Sequence, residues 1–434
     1  MSYMIGKYIY NRISPLFLKI RWKKNDFNFF NNIKVQKSFY QSLPFFKSEK
    51  KLKVKIIIGS IRSLNNSLLF EGALGSAFKK AGYDVRLLQC GQYIKSCETK
   101  IHHKDHQLYC SICHEEFDYY KKSFGLESVF YRDLITDELK IEIQKFVDEV
   151  NLFEFKEWKG HLLESEFKSG IQRYYLDTQL HFETKPELAR SFLFTVISSF
   201  EVGRKLVESG YTHLISSHGI YSTWGGLVAG FKANGGDVTV WGRGYYKSGI
   251  VSFKGESYAN GLKYIKREFF LDKINRGNVE DVKTYLESRW SLTNDSDLVK
   301  YYDKKALVNK INLELDPSKK YIGFFPNIPW DGQTFVSTKD YHGIKDVLEA
   351  LIKYAKENPN SHVIVRPHPA ENPKVNPHIG ETFLDIANRY ALSDNSSFTV
   401  LPYESPLTSY DIAEKVDVSL LFAGSIGLEM AGHG

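Results

Sequence analysis

Arg366-Pro367-His368-Pro369 is the sharpest chemical feature of this sequence of 434 residues. The two prolines fix backbone angles and stop a helix from starting, so a guanidinium and an imidazole are held at a defined point of the chain. Arg presents a planar fork matched to phosphate oxygens, and His donates a hydrogen bond or a proton near neutral pH. Such a pair suits a diphosphate. The bland alternative is a proline-bounded turn whose Arg pairs with a surface carboxylate.

Two further segments of the C-terminal half carry compatible groups. Gly424-Ser425-Ile426-Gly427-Leu428-Glu429 places small residues ahead of a helix, where backbone N–H groups face an anion and Ser425 adds a hydroxyl donor. Glu429, one turn further, is expected to accept from ribose hydroxyls. Phe325-Pro326-Asn327-Ile328-Pro329-Trp330-Asp331 makes a rigid loop bearing Asn327, Asp331 and an aromatic ring. Convergence of three such loops on one sheet edge would define a cleft.

The N-terminal half offers Gly59-Ser60-Ile61-Arg62, Ser217-His218-Gly219-Ile220-Tyr221 and Trp241-Gly242-Arg243. Each puts a titratable or polar side chain just past an apolar run. His218 is the candidate general base, because an imidazole poised near neutral pH can take a proton from a hydroxyl. Its alternative role is to cap the loop or bind an acceptor. Ser60, Arg62, Tyr221 and Arg243 are candidate acceptor contacts.

Those loops need strands to hold them, and the apolar pattern supplies them. Residues 54–58 (VKIII) are apolar apart from Lys55 and end in three consecutive isoleucines, as in a strand buried on both faces of a parallel sheet. A helical spacing through Leu74, Ala77, Phe78 and Ala81 ends at Gly82, and Asp84–Leu88 returns to strand character. His213–Ser217, a helix near Thr223–Lys232, and Asp237–Trp241 repeat the unit, with an amphipathic run from Pro186 to Ser209 ahead of them. Residues 270–318 are charged and helical in pattern, as in a connection.

Tyr321–Phe325, His362–Arg366, Phe398–Leu401 and Asp417–Leu421 then read as strands, and Ile344, Val347, Leu348, Leu351, Ile352 and Ala355 as one helix face. Strand-helix alternation of this kind predicts an α/β protein of two Rossmann-like domains, with ligands bound beyond the carboxyl ends of the strands. The expected division is a leader over 1–50, a domain over 51–269, a connection over 270–318, and a second domain over 319–434. The last segment reads as the opening of a helix that needs a cover, so a truncated second domain is expected.

Charge separates the leader from the rest. Residues 1–50 hold ten Lys or Arg against Asp26 and Glu49, a net +8 within a whole-chain charge of +7, so the remainder is close to neutral. A near-neutral body argues against a nucleic-acid surface. Basic residues mixed with Tyr8, Tyr10, Phe17, Trp22, Phe29 and Phe30 suit an anionic membrane surface, the alternative being a segment that wraps the first domain. No apolar run spans a bilayer and no secretory signal opens the chain, so a cytoplasmic, peripheral-membrane location is expected.

The four cysteines follow C-x6-C-x12-C-x2-C at Cys90, Cys97, Cys110 and Cys113, beside His114. In a reducing compartment this spacing is compatible with structural Zn or with free thiols.

Taken in order, HGIYSTWGGLVAG, VWGRGYY, FPNIPWD, RPHP and SIGLEMAG resemble the capsule or surface-polysaccharide glycosyltransferases of the GT-B fold, over most of residues 53–434. The resemblance implies transfer of a sugar from a nucleotide-sugar donor to a glycan or lipid-linked acceptor. It assigns donor contacts to Asn327, Asp331, Arg366, His368, Ser425, Gly427 and Glu429, and acceptor contacts to the first domain. With no acidic metal motif near the loops, the expectation is catalysis without a cofactor, donor charge being offset by Arg366, His368 and a helix N-terminus. A polyol-phosphate transferase using CDP-polyols, in which an RxHP turn recurs, and a non-catalytic carbohydrate-binding scaffold are the competing expectations.

Overall fold

The computed structural model describes residues 52–62, 65–98, 106–243, 250–255, 257, 279–290, 313–332, 335, 343–374, 376–422, 424 and 426–433. The leader over 1–50 and Ser425 lie outside the described residues. Packing groups the described chain into two units. One comprises residues through Gly170, His181–Gly242 and the segment from Val251; the other comprises Ile171–Leu180, Arg243–Ile250 and the described residues from Val279 on. The expected connection therefore contributes its described helix, Val279–Trp290, to the second unit, which also draws on two short segments from earlier in the chain.

The first unit is built on β1 (Lys55–Gly59), β2 (Asp84–Gln89) and β3 (Glu127–Phe130), a two-stranded ribbon of β4 (Glu157–Trp158) and β5 (His161–Leu162), then β6 (His213–Ser217), β7 (Asp237–Arg243) and β8 (Ile250–Lys254). The main sheet runs β3-β2-β1-β6-β7-β8. Pairings β1 with β2, β1 with β6, β2 with β3 and β6 with β7 are all parallel. Burial explains the uniform apolar run of β1, since Ile56, Ile57 and Ile58 are enclosed by helices on both faces.

α1 (Asn65–Lys80) and α2 (His106–Phe124) follow in the chain, with α3 (Asp137–Glu149) and α4 (Glu164–Tyr175) beyond them. α5 (Pro186–Glu208) is the expected amphipathic run, but Phe192 through Gly203 are all buried. It packs against α6 (Gly226–Ala233) at backbone contact: a Cβ on Gly230 would lie 1.9 Å from the Phe200 carbonyl oxygen.

In the second unit β9 (Lys320–Pro326), β10 (Ser361–Val365), β11 (Phe398–Val400) and β12 (Val418–Phe422) form a parallel sheet of order β11-β10-β9-β12. α7 (Val279–Trp290), α8 (Ile344–Glu357), α9 (Phe383–Arg389), α10 (Ser409–Ala413) and α11 (Ile426–His433) complete it. α8 buries Ile344, Val347, Leu348, Leu351 and Ala355, the stripe expected from their spacing, against Phe324, Val363 and Val365. The architecture is mixed α/β, with a first sheet that is mostly parallel and a second that is parallel throughout. Among the described residues no helix is long and apolar enough to cross a membrane.

Candidate functional sites

Strand order locates the place in each sheet where a ligand fits. In the first sheet the chain builds outward from β1 through β2 and β3, then resumes on the other side of β1 with β6 and β7. Loops after β1 and β6 therefore leave in opposite directions and open a crevice at their carboxyl ends. In the second sheet the same reversal falls between β9 and β12.

At the first switch point Ser60, Arg62, Tyr221 and His218 come from the loops after β1 and β6, as the sequence suggests. Three of them are buried. Ser60 Oγ donates to Glu71 Oε2 at 2.6 Å. Arg62 lies 3.1 Å from Glu98 Oε2 and 3.7 Å above the Trp224 ring. Tyr221 is enclosed at the start of a π-helical turn, Tyr221–Gly225.

His218 and Tyr221 both sit in the left-handed region, at φ +57° and +67°, with Gly219 at +66° between them. Side chains held there cost about 1–3 kcal/mol each, and π-turns gather at functional sites for the same reason: surrounding structure must over-determine them. Here Glu98 does so, accepting from the Thr223 N–H at 2.9 Å and the Thr223 hydroxyl at 3.1 Å. Trp224 ties the turn to β1 by donating from Nε1 to the Gly59 carbonyl at 3.3 Å. The His218 ring stacks on Trp224 at 5.0 Å and 19°, and its Nδ1 is engaged by Ser217 Oγ. The partly exposed imidazole is thus fixed in position and orientation.

Glu71, Glu98 and Trp224 were missed as site residues by sequence reasoning. Glu71 had a signal: it is a carboxyl inside the apolar run Leu68-Leu69-Phe70-Glu71-Gly72-Ala73. Burial pushes its pKa up to about 8, against the pull of the Ser60 hydrogen bond, so it is a neutral acid at pH 7. Glu98 has no local signal, because its partners lie at Arg62 and Thr223. Of Arg243 only the backbone is described, as the last residue of β7.

At the second switch point β9, β10 and β12 are adjacent and in register, Phe422 opposite Pro326 and Val365 opposite Phe324. Their three following loops share one rim. The Asn327 N–H donates to the Phe422 carbonyl at 3.2 Å, joining the loops after β9 and β12. Gly427 is in the first turn of α11, packed on Leu421.

His368 is partly exposed, and its ring is set by its own turn. The Ala370 N–H donates to Nδ1 at 3.1 Å, so a neutral ring carries its proton on Nε2. Burial depresses the pKa to about 4; Arg366 adds to the depression and the Asp331 carboxylate opposes it. The imidazole is therefore a neutral donor at physiological pH. Arg366 differs from expectation in depth: it is 1% exposed and its Nη1 reaches the Pro402 carbonyl at 3.3 Å. It contributes positive potential from below the rim.

Glu429 points away from the role expected of it. It is buried, bound by Arg289 through Nε at 2.9 Å and Nη2 at 2.7 Å, and by the Tyr410 hydroxyl. This pair fastens α11 to α7, so a ribose contact would require breaking it.

Cys90, Cys97, Cys110 and Cys113 line one small cavity with Arg62, Gln89, Tyr109 and His114. Cys97 and Cys113 are buried and Cys90 and Cys110 partly exposed. Among the described residues no three His, Cys, Asp or Glu side chains are grouped as metal ligands. The spacing that suggested Zn brings the thiols to one cavity without bringing three to one point.

Comparisons with protein-family models, with curated proteins and with solved structures find no match to this chain.

Proposed function

We propose that the protein is a glycosyltransferase of GT-B type that moves a sugar from a nucleotide-sugar donor to a surface glycan or lipid-linked acceptor. The observation that carries this is the tautomer of His368: a neutral imidazole presenting Nε2–H at the switch point of a parallel sheet, with the Arg366 charge beneath it. A donor of that kind binds a diphosphate oxygen without the desolvation cost of a buried imidazolium. The amino end of α11 adds partial positive charge on the same rim.

In this reading the acceptor hydroxyl attacks the anomeric carbon as the bond from that carbon to the donor phosphate oxygen breaks. The bonding pair leaves with the nucleoside diphosphate, and the hydroxyl proton passes to His218. Negative charge growing on the leaving phosphate raises the proton affinity of His368, which strengthens its hydrogen bond when it is needed. Support for His218 is the strained turn and the Trp224 stack that fix its ring. No metal or cofactor enters the proposal, and attachment to an anionic membrane through residues 1–50 belongs to it.

The test is turnover of a panel of nucleotide sugars and CDP-polyols with a lipid-linked glycan acceptor. Release of nucleoside diphosphate with sugar transfer is expected. Use of CDP-polyols alone, releasing CMP, would replace sugar transfer by polyol-phosphate transfer, and binding of glycan without turnover of any donor would leave a scaffold.

A further inference from the structure

We propose that Arg173 is a direct ligand of the anion bound at the rim of the second sheet, held in place by Trp330. The inference rests on the reading of that rim as a diphosphate site, and adds a residue far from it in sequence.

Arg173 lies in the last turn of α4, where Ile171–Leu180 packs as part of the second unit. That segment is clamped. The N–H groups of Gly380 and Glu381 both donate to the Leu176 carbonyl at 3.1 Å, and the Thr178 N–H donates to Glu381 Oε2 at 3.2 Å, with its hydroxyl on the same oxygen. Leu176 is held at φ +52°, a strained conformation for a leucine. Residues 380 and 381 end the stretch that follows the His368 turn, and Glu371 of that turn accepts from the Phe383 N–H. The clamp therefore anchors the segment to the chain that supports His368.

Its product is a guanidinium 5.0 Å from the centre of the Trp330 ring. Trp330 belongs to the loop after β9 and precedes Asp331, the carboxylate that acts on His368. Trp330 is 4% exposed and its Nε1–H has no hydrogen-bond partner among the described residues. Among the described residues Arg173 has no acidic partner either. A surface arginine would be expected to pair with a carboxylate or extend into water, and a buried indole N–H is almost always satisfied. Both are donors, Trp330 on the loop that borders the switch point and Arg173 held against that loop from α4, and His368 on the same rim is a third. Donors gathered on and against one loop suit a ligand rich in anionic oxygen, and a flat aromatic face under the guanidinium fixes its fork for bidentate contact.

The experiment is calorimetric titration of the full chain with inorganic pyrophosphate and with UDP, GDP and CDP, for the wild type, R173A, R173K, W330F and H368A. The expected result is about tenfold weaker binding in R173A, a smaller loss in R173K because the charge stays and the fork is lost, and a shallower salt dependence in both R173A and H368A than in the wild type. If H368A loses affinity while R173A binds as the wild type does, Arg173 is not a ligand and the diphosphate site stands. If the wild type binds none of the probes, the diphosphate reading itself fails and the inference with it. A lower melting temperature in R173A with unchanged affinity would assign Arg173 to packing and overturn the proposal.

Discussion

Glu371 Oε1 accepts the backbone N–H of His368 at 3.2 Å while its Oε2 accepts that of Phe383 at 2.5 Å. A single buried carboxyl thus joins the Pro-His-Pro turn to the amino end of α9. Burial pushes its pKa up to about 8, against the pull of the two N–H donors it accepts. Glu371→Ala leaves both N–H groups without acceptors, one of them fully buried, and is expected to lower stability by roughly 2–4 kcal/mol. Glu371→Gln keeps one acceptor oxygen but turns its NH2 towards the other N–H, so it should recover only part of the loss. Urea unfolding of the two variants checks the ordering.

Glu98 is buried with Arg62 as its ion partner. Arg62→Met removes that charge and leaves the carboxylate enclosed, which should cost about 3–5 kcal/mol. Adding Glu98→Gln removes the stranded charge and is expected to recover most of the loss. A double-mutant cycle by denaturant unfolding measures the coupling; additive losses would mean that Glu98 draws its support from Thr223 alone.

Glu71 ties folding to pH. Its folded pKa is raised to about 8 against an ordinary 4.5, so the native state holds the proton where the unfolded state has released it. Stability from this group is complete below about 4.5 and is lost as pH rises through about 8. His368 acts oppositely: with its folded pKa lowered to about 4, its contribution is complete above about 6.5 and is lost as pH falls towards 4. Melting temperatures from pH 6.5 to 9 should therefore fall in the wild type and fall less in Glu71→Gln.

The contact between α5 and α6 is backbone on backbone, a carbon at residue 230 meeting the Phe200 carbonyl. Gly230→Ala should cost about 3 kcal/mol, because neither partner is a flexible side chain that can yield. Since α6 continues the π-turn that carries Trp224, the same variant should slow turnover more than Lys232→Ala on the outer face of that helix. Equal stability of Gly230→Ala and wild type would remove this packing argument.

What the sequence discloses is the part of the fold written in contiguous residues. Ile56-Ile57-Ile58, His213–Ser217 and Tyr321–Phe325 are apolar runs because parallel strands are covered on both faces, and each strand lies within two residues of its expected bounds. Glu127–Phe130 and Ile250–Lys254 escaped notice as short or alternating edge strands with weak apolar content. The rim formed by Asn327, Asp331 and His368 was visible because each follows a strand end directly.

Depth was not visible. Nothing in Arg366-Pro367-His368 distinguishes an exposed fork from a guanidinium sunk under Pro402, and nothing near Glu429 names Arg289, 140 residues away, as its partner. The clamp on residues 171–180 is equally remote, since Thr178 and Glu381 are separated by 203 positions. Long-range pairing of polar groups leaves no periodic trace, whereas burial of a strand does.

Nitrogen NMR of His368 in the full chain, with and without a nucleotide diphosphate, probes the account at its base. The ring should show the Nε2–H tautomer and remain neutral down to about pH 5 when unliganded, with Nε2–H shifting downfield on binding and its apparent pKa rising. A ring protonated at pH 7 without ligand, or one whose Nε2–H is unmoved by saturating nucleotide diphosphate, would contradict it.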